Sequence, residues 1–206
     1  MKKVIKRSVS CLGSLSSLFC PPALIRALRS FRDAFYTGYI HQRFASLGDS
    51  SFIWKMLHLQ GAQYMHIGDG NIFEADLQLT ARKIGDTIPV LTIGNNCLIR
   101  HGSHITAIRK ITIGDNLLTG TNVLITDNAH GQANRDMMQR PVRERPVVSG
   151  GEVTIGNNVW LGNNVCVMPG VTIGDGVIVG ANSVVTHDLP AYCVAVGTPA
   201  KIIRQL

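Results

Sequence analysis

Residues 153–188 read VTIGNN VWLGNN VCVMPG VTIGDG VIVGAN SVVTHD, and these six consecutive hexads decide the fold. The third residue of every hexad is apolar, and Gly follows it in four of the six. A period of six is a multiple of the two-residue period of a strand and does not fit the 3.6-residue period of a helix. Each hexad therefore predicts a short strand with one inward face, followed by a turn built on Gly, Asn or Asp.

The same frame continues upstream, so that fifteen hexads keep it in all. Stacking such hexads coils the chain into an all-β, parallel β-helix with coils about 4.8 Å apart. At three hexads per triangular coil, the sequence predicts about five coils. Thr119 is the one third-position residue that is not apolar; the upstream third positions are Ile67, Phe73, Leu79, Ile93, Ile99, Ile105, Ile113, Thr119 and Ile125.

Three insertions interrupt the repeat, after Leu79, after Ile105 and after Ile125. Each one follows a third hexad, which predicts that all three leave the coil at the same corner. The longest, residues 126–152, is predicted to protrude as a loop. Long loops in compact repeats are usually functional or disordered, so this loop is the first place to look for a site.

The charge of the chain is concentrated at its N-terminal end. The 206 residues contain 20 Lys and Arg against 13 Asp and Glu, but eight basic and only two acidic residues fall within 1–50. The remainder is nearly neutral, which argues against a nucleic-acid-binding protein. Five cysteines without a C-x-x-C motif indicate free thiols in a reducing cytoplasm.

The N-terminal segment also raises the question of targeting. Met1–Arg7 looks like the basic start of a signal peptide, but the stretch after it is only moderately apolar and has no clear cleavage site, so this signal is weak. No run approaches the roughly 18 apolar residues of a spanning helix. The sequence therefore predicts a cytoplasmic protein, with a peripheral contact to the inner membrane left open.

Residues 22–45 are predicted to form a helix. Leu24, Leu28, Phe31 and Phe35 form an apolar stripe at helical spacing beside a row of arginines. The favoured interpretation packs this stripe on the solenoid or on a neighbouring subunit. The alternative is attachment to an anionic membrane.

Four stretches carry a family resemblance: IGNNVWLG (155–162), MPGVTIGDG (168–176), GANSVVT (180–186) and GTPAKIIR (197–204). They resemble the hexapeptide-repeat acyltransferases, above all the O-acetyltransferases of bacterial capsule, lipopolysaccharide and exopolysaccharide synthesis. Galactoside and maltose acetyltransferases are more distantly similar. The resemblance covers about residues 60–206. It implies a left-handed coil, a homotrimer with active sites between subunits, acetyl-CoA as acyl donor, a sugar or polysaccharide acceptor and no metal.

The resemblance also implies a catalytic base. The family's Asp-x-x-His element matches Asp127 and His130, with His130 as the general base that takes a proton from the acceptor hydroxyl. Asp127 is predicted either to orient the imidazole or bind the acceptor, or to cap a turn, with neither role preferred. Many relatives carry a second His at the position of Asn128, so any role of that second His is absent here.

His101 and His104 admit two interpretations. Together with His130 they could suggest zinc, as in γ-class carbonic anhydrases of the same fold. The resemblance instead implies that His104 contacts the acceptor sugar and that His101 is solvated.

The resemblance assigns coenzyme A to the C-terminal coils. Lys201 and Arg204 would meet its phosphates, which call for cations. Trp160 is expected near the cofactor groove. The positions that match the family's coenzyme A contacts are Asn163, Ala181, Thr186, His187, Lys201 and Arg204. At two of them the family more often has another residue, Lys in place of His187 and Ser in place of Asn163.

These expectations divide the chain into an N-terminal basic and helical segment (1–60), a β-helix acyltransferase domain (61–190) and a C-terminal basic tail (191–206). The function they predict is acetyl transfer from acetyl-CoA to a sugar hydroxyl in surface polysaccharide biosynthesis. An N-acyltransferase on an amino sugar and a xenobiotic acetyltransferase remain alternatives. A zinc-dependent hydratase and a structural β-helix are weaker ones.

Overall fold

A computed structural model describes residues 21–206. The basic stretch Met1–Arg7, with its weak targeting signal, lies outside the described residues. Most of the chain winds into a three-sided solenoid in which nearly every strand runs parallel to its neighbours. This confirms the parallel β-helix that the hexads predict, and the fold is that of the left-handed β-helix.

The three faces of the solenoid are sheets of short strands. The first sheet contains β1 (Ser46–Leu47), β4 (Met65–Ile67), β7 (Val90–Ile93), β10 (Lys110–Ile113), β15 (Val153–Ile155) and β18 (Thr172–Ile173). The second contains β2 (Phe52–Ile53), β5 (Ile72–Phe73), β8 (Leu98–Ile99), β11 (Leu118–Thr119), β16 (Trp160–Leu161), β19 (Ile178–Val179), β21 (Cys193–Gly197) and β22 (Ala200–Gln205). The third contains β3 (His58–Gln60), β6 (Gln78–Ala81), β9 (His104–Ala107), β12 (Leu124–Thr126), β17 (Cys166–Val167) and β20 (Val184–Val185).

The solenoid has six coils, one more than the repeats predict. The additional coil comes first: Leu47, Ile53 and Leu59 pair with Ile67, Phe73 and Leu79 of the next coil. These residues keep the six-residue spacing, so the solenoid begins near Ser46 and not at residue 61. The tail also differs from expectation, because β22 pairs antiparallel with β21 and extends the second sheet.

The interior is a stack of aliphatic side chains from all six coils. Thr119, the exception in the repeat, is buried like its apolar equivalents, and its hydroxyl accepts a hydrogen bond from the Arg100 backbone N–H at 2.9 Å. A buried hydroxyl is tolerated when it is hydrogen-bonded. The core thus accommodates this one polar residue.

All three insertions leave the coil between the third sheet and the first, as the sequence predicts. The longest forms a hairpin of β13 (Asn128–His130) and β14 (Val147–Ser149), which pair antiparallel. Between them lie a short helix, α2 (Arg135–Met138), and a 3₁₀ turn, Val142–Glu144. The first two sheets are therefore continuous along their whole length.

The helix α1 runs from Pro22 to His41, four residues shorter than predicted. Pro22 stands in its first turn, where a missing N–H costs nothing. The apolar stripe does not pack on the solenoid. The buried residues of α1 are Asp33, Thr37 and Ile40, whereas Phe31 and Phe35 are 73% and 69% exposed.

The outer surfaces of the sheets differ in polarity. On the second sheet, the outward residues in register are all apolar: Phe52, Ile72, Leu98, Leu118, Trp160, Ile178 and Val194. We call this row the apolar ladder. The equivalent row on the first sheet is polar: Ser46, His66, Thr92, Thr112, Thr154 and Thr172.

Candidate active site

A groove runs along the second sheet over the last three coils, with a volume of about 410 Å³. One wall is the upper part of the apolar ladder, namely Leu118, Trp160 and Ile178. Gly120, Gly162 and Gly180 stack along the groove in successive coils and add no side chains, and Arg100 also lines it. The groove thus combines an apolar wall with a row of glycines that add no side chain, a shape suited to a long, thin ligand.

Two of the predicted coenzyme A residues lie in this groove. Asn163 and Ala181 follow the stacked glycines at the corner between the second and third sheets, and both line it. The Asn163 side-chain oxygen accepts a hydrogen bond from the Thr121 backbone N–H at 2.9 Å. Its amide nitrogen is the part of the side chain that is left to meet a ligand.

Lys201 and Arg204 extend the groove with positive charge. Arg204 stands opposite Val194, which in turn stands opposite Ile178 of the groove wall. Lys201 is opposite Val196, on the same side of the sheet. The two cations are therefore two strand spacings, about 10 Å, beyond the groove. A ligand with phosphates at one end fits this order of surfaces.

Thr186 and His187 do not lie in the groove. They stand at the corner between the third sheet and the first, where the Thr186 hydroxyl and His187 Nδ1 are 2.9 Å apart. The sequence resemblance grouped them with Asn163 and Ala181, but the coil places the two pairs at different corners. Within one chain they do not share the groove.

His130 is exposed on β13, on the hairpin that leaves the same corner as Thr186 and His187. The base of this hairpin is firmly held. The Asn128 side chain donates hydrogen bonds to the Thr106 carbonyl and to Asp127, and the Thr126 hydroxyl bonds the Asn128 backbone. Asn128, the position where many relatives carry His, thus has a structural role.

Asp127 is fully buried, which favours its predicted role at a turn. Its carboxylate accepts backbone N–H groups from Ile108, Arg109 and Lys110 at 2.8–2.9 Å, and a further bond from the Asn128 side chain. These four donors occupy the carboxylate, so it does not contact an acceptor sugar as suggested from the sequence. Asp127 instead fixes the corner from which β13 and His130 depart.

His104 is half-buried on the outer surface of the third sheet. Burial, and to a smaller extent the nearby His58, lowers the pKa of His104 from its ordinary value of 6.5. His104 is thus held neutral near pH 7 and can donate or accept a hydrogen bond. His101 lies elsewhere, with Nδ1 3.6 Å from an Asp76 carboxylate oxygen. Within residues 21–206, no three His, Cys, Asp or Glu side chains are grouped to hold a metal ion.

The sequence did not reveal which residues form the apolar wall of the groove. Trp160 was expected near it, but the wall also needs Leu118 and Ile178 from two other coils. The residue type at the second position of each hexad could have revealed Leu118 and Ile178 as wall residues. That position is apolar on the second sheet and mostly Thr on the first.

Comparison with known proteins agrees with this architecture. Residues 152–187 match the family described as Bacterial transferase hexapeptide (six repeats). The curated protein of Escherichia coli (strain K12) named "Putative lipopolysaccharide biosynthesis O-acetyl transferase WbbJ" is 41% identical over 119 residues, which is 56% of this chain. The match spans 61% of the length of that relative.

Two solved structures share the fold. The hexapeptide-repeat containing acetyltransferase VCA0836 of Vibrio cholerae O1 biovar eltor, complexed with acetyl coenzyme A, is 26% identical with a TM-score of 0.51. That likeness covers 90% of this chain and 91% of the other. A point mutant of AntD, an N-acyltransferase from Bacillus cereus, is 19% identical with a TM-score of 0.60, covering 82% of this chain and 87% of the other. The six-coil solenoid and these structures show the left-handed β-helix fold, and the matched repeats and WbbJ show that the chain is similar to bacterial hexapeptide-repeat acetyltransferases.

Proposed function

We propose that the protein is an acyltransferase that moves an acetyl group from acetyl-CoA to a hydroxyl of a sugar or surface polysaccharide. The observation that carries this proposal is the groove of the second sheet, which ends in Lys201 and Arg204. Its apolar wall and its row of glycines without side chains suit a thin pantetheine arm, and the two cations suit the phosphates of coenzyme A. The named activity of WbbJ and the acetyl coenzyme A complex of VCA0836 support the same donor and reaction.

In this proposal His130 is the general base. It takes the proton of the acceptor hydroxyl as the oxygen attacks the thioester carbonyl carbon. When the carbon–sulfur bond breaks, His130 returns that proton to the departing thiolate. General base catalysis of this kind contributes about 10²–10⁴-fold. His104, held neutral, is proposed to hydrogen-bond the acceptor, and Asp127 to keep the His130 hairpin in place.

The active site is proposed to form between two copies of the chain in a homotrimer. His130, Thr186 and His187 stand at one corner of the prism, and Asn163 and Ala181 stand at another. A neighbouring copy would bring the first corner to the groove. The apolar ladder supports self-association, because its seven side chains form a continuous apolar surface of which three line the groove and four lie beside it.

Calorimetric titration with coenzyme A tests the donor. We expect micromolar binding to the full chain and weaker binding of dephospho-coenzyme A. The double variant Lys201→Gln/Arg204→Gln is expected to bind both ligands equally weakly. Arg82→Gln/Lys83→Gln, which removes two exposed cations from another loop, is the matched control and is expected to bind like the parent. Absence of binding at millimolar coenzyme A by the folded protein would overturn the proposal.

Mixing two inactive variants tests the shared site. His130→Ala removes the base, and Ala181→Trp fills the groove. We expect each alone to release no coenzyme A from acetyl-CoA in the presence of a panel of sugar acceptors. After the subunits are dissociated and reassembled together, sites that combine an intact His130 with an intact groove should regain activity. If the mixture stays inactive while the parent survives the same treatment, base and groove do not belong to neighbouring subunits.

A further inference from the structure

The groove proposed for coenzyme A has two different ends. Lys201 and Arg204 lie beyond one end, past the last coil. At the other end, the corner that follows the second sheet changes its residues. The lining residues of this corner, one from each of four successive coils, are Arg100, Gly120, Gly162 and Gly180. The groove therefore ends where a long charged side chain replaces the glycines.

The apolar wall of the groove does not end at this level. The apolar ladder continues from Leu118 to Leu98 and Ile72, which belong to the two preceding coils. Neither of these two residues lines the groove. What changes is the neighbouring corner, which is occupied by Arg100 and Glu74 in those coils. Side-chain bulk at the corner, and not a break in the apolar wall, thus closes the groove.

The Arg100 side chain is held by Glu74. Arg100 Nε lies 3.3 Å from one carboxylate oxygen of Glu74, and the Glu74 side chain is only 17% exposed. The other oxygen of that carboxylate accepts the His101 backbone N–H at 3.0 Å. Glu74 is therefore fixed by the coil itself, and it fixes the position of the guanidinium group.

The backbone of Arg100 is also held in an unusual way. Its N–H donates to the hydroxyl of Thr119, the one polar residue in the third position of the hexads. The equivalent N–H groups of Glu74 and Gly120 donate to backbone carbonyls of the next coil instead. Thr119 therefore departs from the repeat at the one contact that anchors Arg100.

The length of coenzyme A indicates what lies next to Arg100. About 13 bonds separate its phosphates from its sulfur, and they span roughly 15 Å when extended. Arg100 lies three strand spacings, about 14 Å, from Gly180 in the last coil of the groove. If Lys201 and Arg204 hold the phosphates, the sulfur and its acyl group come to the Arg100 end.

The position of His130 agrees with this orientation. β13, which carries His130, directly follows β12 in the coil of Leu118, and Arg100 lies one coil earlier. In a trimer whose three-fold axis is parallel to the prism, every copy of His130 keeps this height. The proposed base and the thioester would then meet one coil from Arg100.

We infer that the Arg100 side chain closes the groove just beyond the thioester and restricts the donor to acetyl or similarly short acyl groups. The inference rests on the proposed acetyl transfer, because it identifies the acyl end of that same groove. Without the long side chain, the groove would continue along Leu98. A longer apolar acyl chain would then find room on the apolar ladder.

Calorimetric titration with coenzyme A, acetyl-CoA and butyryl-CoA tests this inference. We expect the parent to bind butyryl-CoA on the order of tenfold more weakly than acetyl-CoA, because the extra methylene groups meet Arg100. Arg100→Ala should bind butyryl-CoA at least as tightly as acetyl-CoA, since those groups are then buried on an apolar surface. Arg100→Met, with a side chain of similar length, should keep the preference of the parent. Arg43→Ala, at an exposed arginine before β1, is the matched control and should also keep it.

The three ligands separate failure of this inference from failure of the proposed function. Melting temperatures establish that each variant is folded. No binding of coenzyme A by the parent would refute both. If the parent binds coenzyme A, an equal ratio of butyryl-CoA to acetyl-CoA affinity in the parent and Arg100→Ala would overturn the inference alone. So would an equal loss of all three ligands in Arg100→Ala, or an Arg100→Met variant that accepts butyryl-CoA as Arg100→Ala does, since contact or charge and not bulk would then be the role of Arg100.

Discussion

At the scale of single residues, Asp127 is more important for the fold than the sequence motif suggests. Replacing it by Ala would leave the N–H groups of Ile108, Arg109 and Lys110 without their acceptor in a buried corner. We expect a loss of roughly 3 kcal/mol or more, at about 1–3 kcal/mol for each unsatisfied donor. Thermal unfolding at fixed protein concentration measures this loss. Asp136→Ala, in the exposed α2 of the same insertion, should melt like the parent; equal melting of both variants would refute the structural role of Asp127.

His104 provides a pH prediction. Burial, and then the charge of His58, lowers the pKa of His104 below its ordinary value of 6.5. The unfolded chain therefore takes up this proton before the folded chain does. The stability linked to His104 is complete above pH 6.5 and is lost as the pH falls from there towards the folded-state pKa.

Replacing His58 separates the two causes of this shift. His58→Gln should raise the pKa of His104 only part of the way to its ordinary value, because burial remains. Titration of the histidine ring protons by NMR measures the change. His66→Gln, an exposed histidine on the first sheet, should leave the His104 titration in place. A His104 titration that is identical with and without His58 would show that its charge does not reach His104.

At the scale of the strand and turn, the Gly-Asx pair of the repeat joins consecutive coils. Side-chain oxygens of Asn95, Asp115, Asn157 and Asp175 each accept the backbone N–H of the equivalent residue one coil earlier. The glycine just before that N–H has no side chain, and this leaves space for the Asx side chain of the next coil. A Cβ on Gly114 would lie 2.5 Å from Asn157 Oδ1 and 3.0 Å from the Gly156 carbonyl. The Gly of one hexad is thus required by the Asx of the next coil.

Two glycine substitutions test this arrangement. Gly114→Ala should destabilise the protein by about 1–3 kcal/mol, because the next coil must shift. Gly38→Ala should stabilise it by about 0.5–1 kcal/mol, because nothing lies within 4 Å of its Cβ and Ala favours a helix. Melting temperatures of the two variants should therefore move in opposite directions. A neutral Gly114→Ala would mean that the coils are not packed as closely as described.

The elements also show what the sequence could predict and what it could not. The hexads predicted the strands, the corners and the position of every insertion, because a strict period of six allows few folds. The first coil escaped notice because residues 46–60 keep the spacing of Leu47, Ile53 and Leu59 but have a Gly-Asx pair only after Leu47. The stripe of α1 was recognised, but it does not pack on the solenoid of its own chain, because periodicity marks an apolar face and does not say what covers it. Its packing on a neighbouring subunit stays a prediction.

The candidate site was predictable to a different degree at each position. Asn163 and Ala181 could be assigned to a groove from their motifs, and the structure places them there. The relation of that groove to His130 could not be predicted, because it depends on which corner of the prism each residue occupies. The role of Asp127 could not be chosen from the sequence, because a motif specifies only the residue type. The role of that carboxylate depends on the backbone N–H groups around it.

At the scale of the whole molecule, the apolar ladder predicts an assembly. Ile72 lies on the ladder, is 42% exposed and does not line the groove. Ile72→Glu should shift the sedimentation coefficient from that of the proposed trimer towards that of a monomer, since a charge would be buried in the contact. Thr154→Glu, in the exposed polar row of the first sheet, is the control and should leave the mass unchanged. A monomeric parent protein, or a trimeric Ile72→Glu variant, would contradict the assignment of this face.

The single exit corner of the insertions has a consequence for how the molecule can vary. Extra chain at that edge changes neither the pairing of the first two sheets nor the spacing of the coils, and lengthening a surface loop costs little. The hairpin that carries His130 can thus be exchanged as a unit, while the groove opposite keeps its shape. In the proposed acyltransferase, acceptor preference and donor binding would then be free to diverge separately, each on its own edge of one rigid prism.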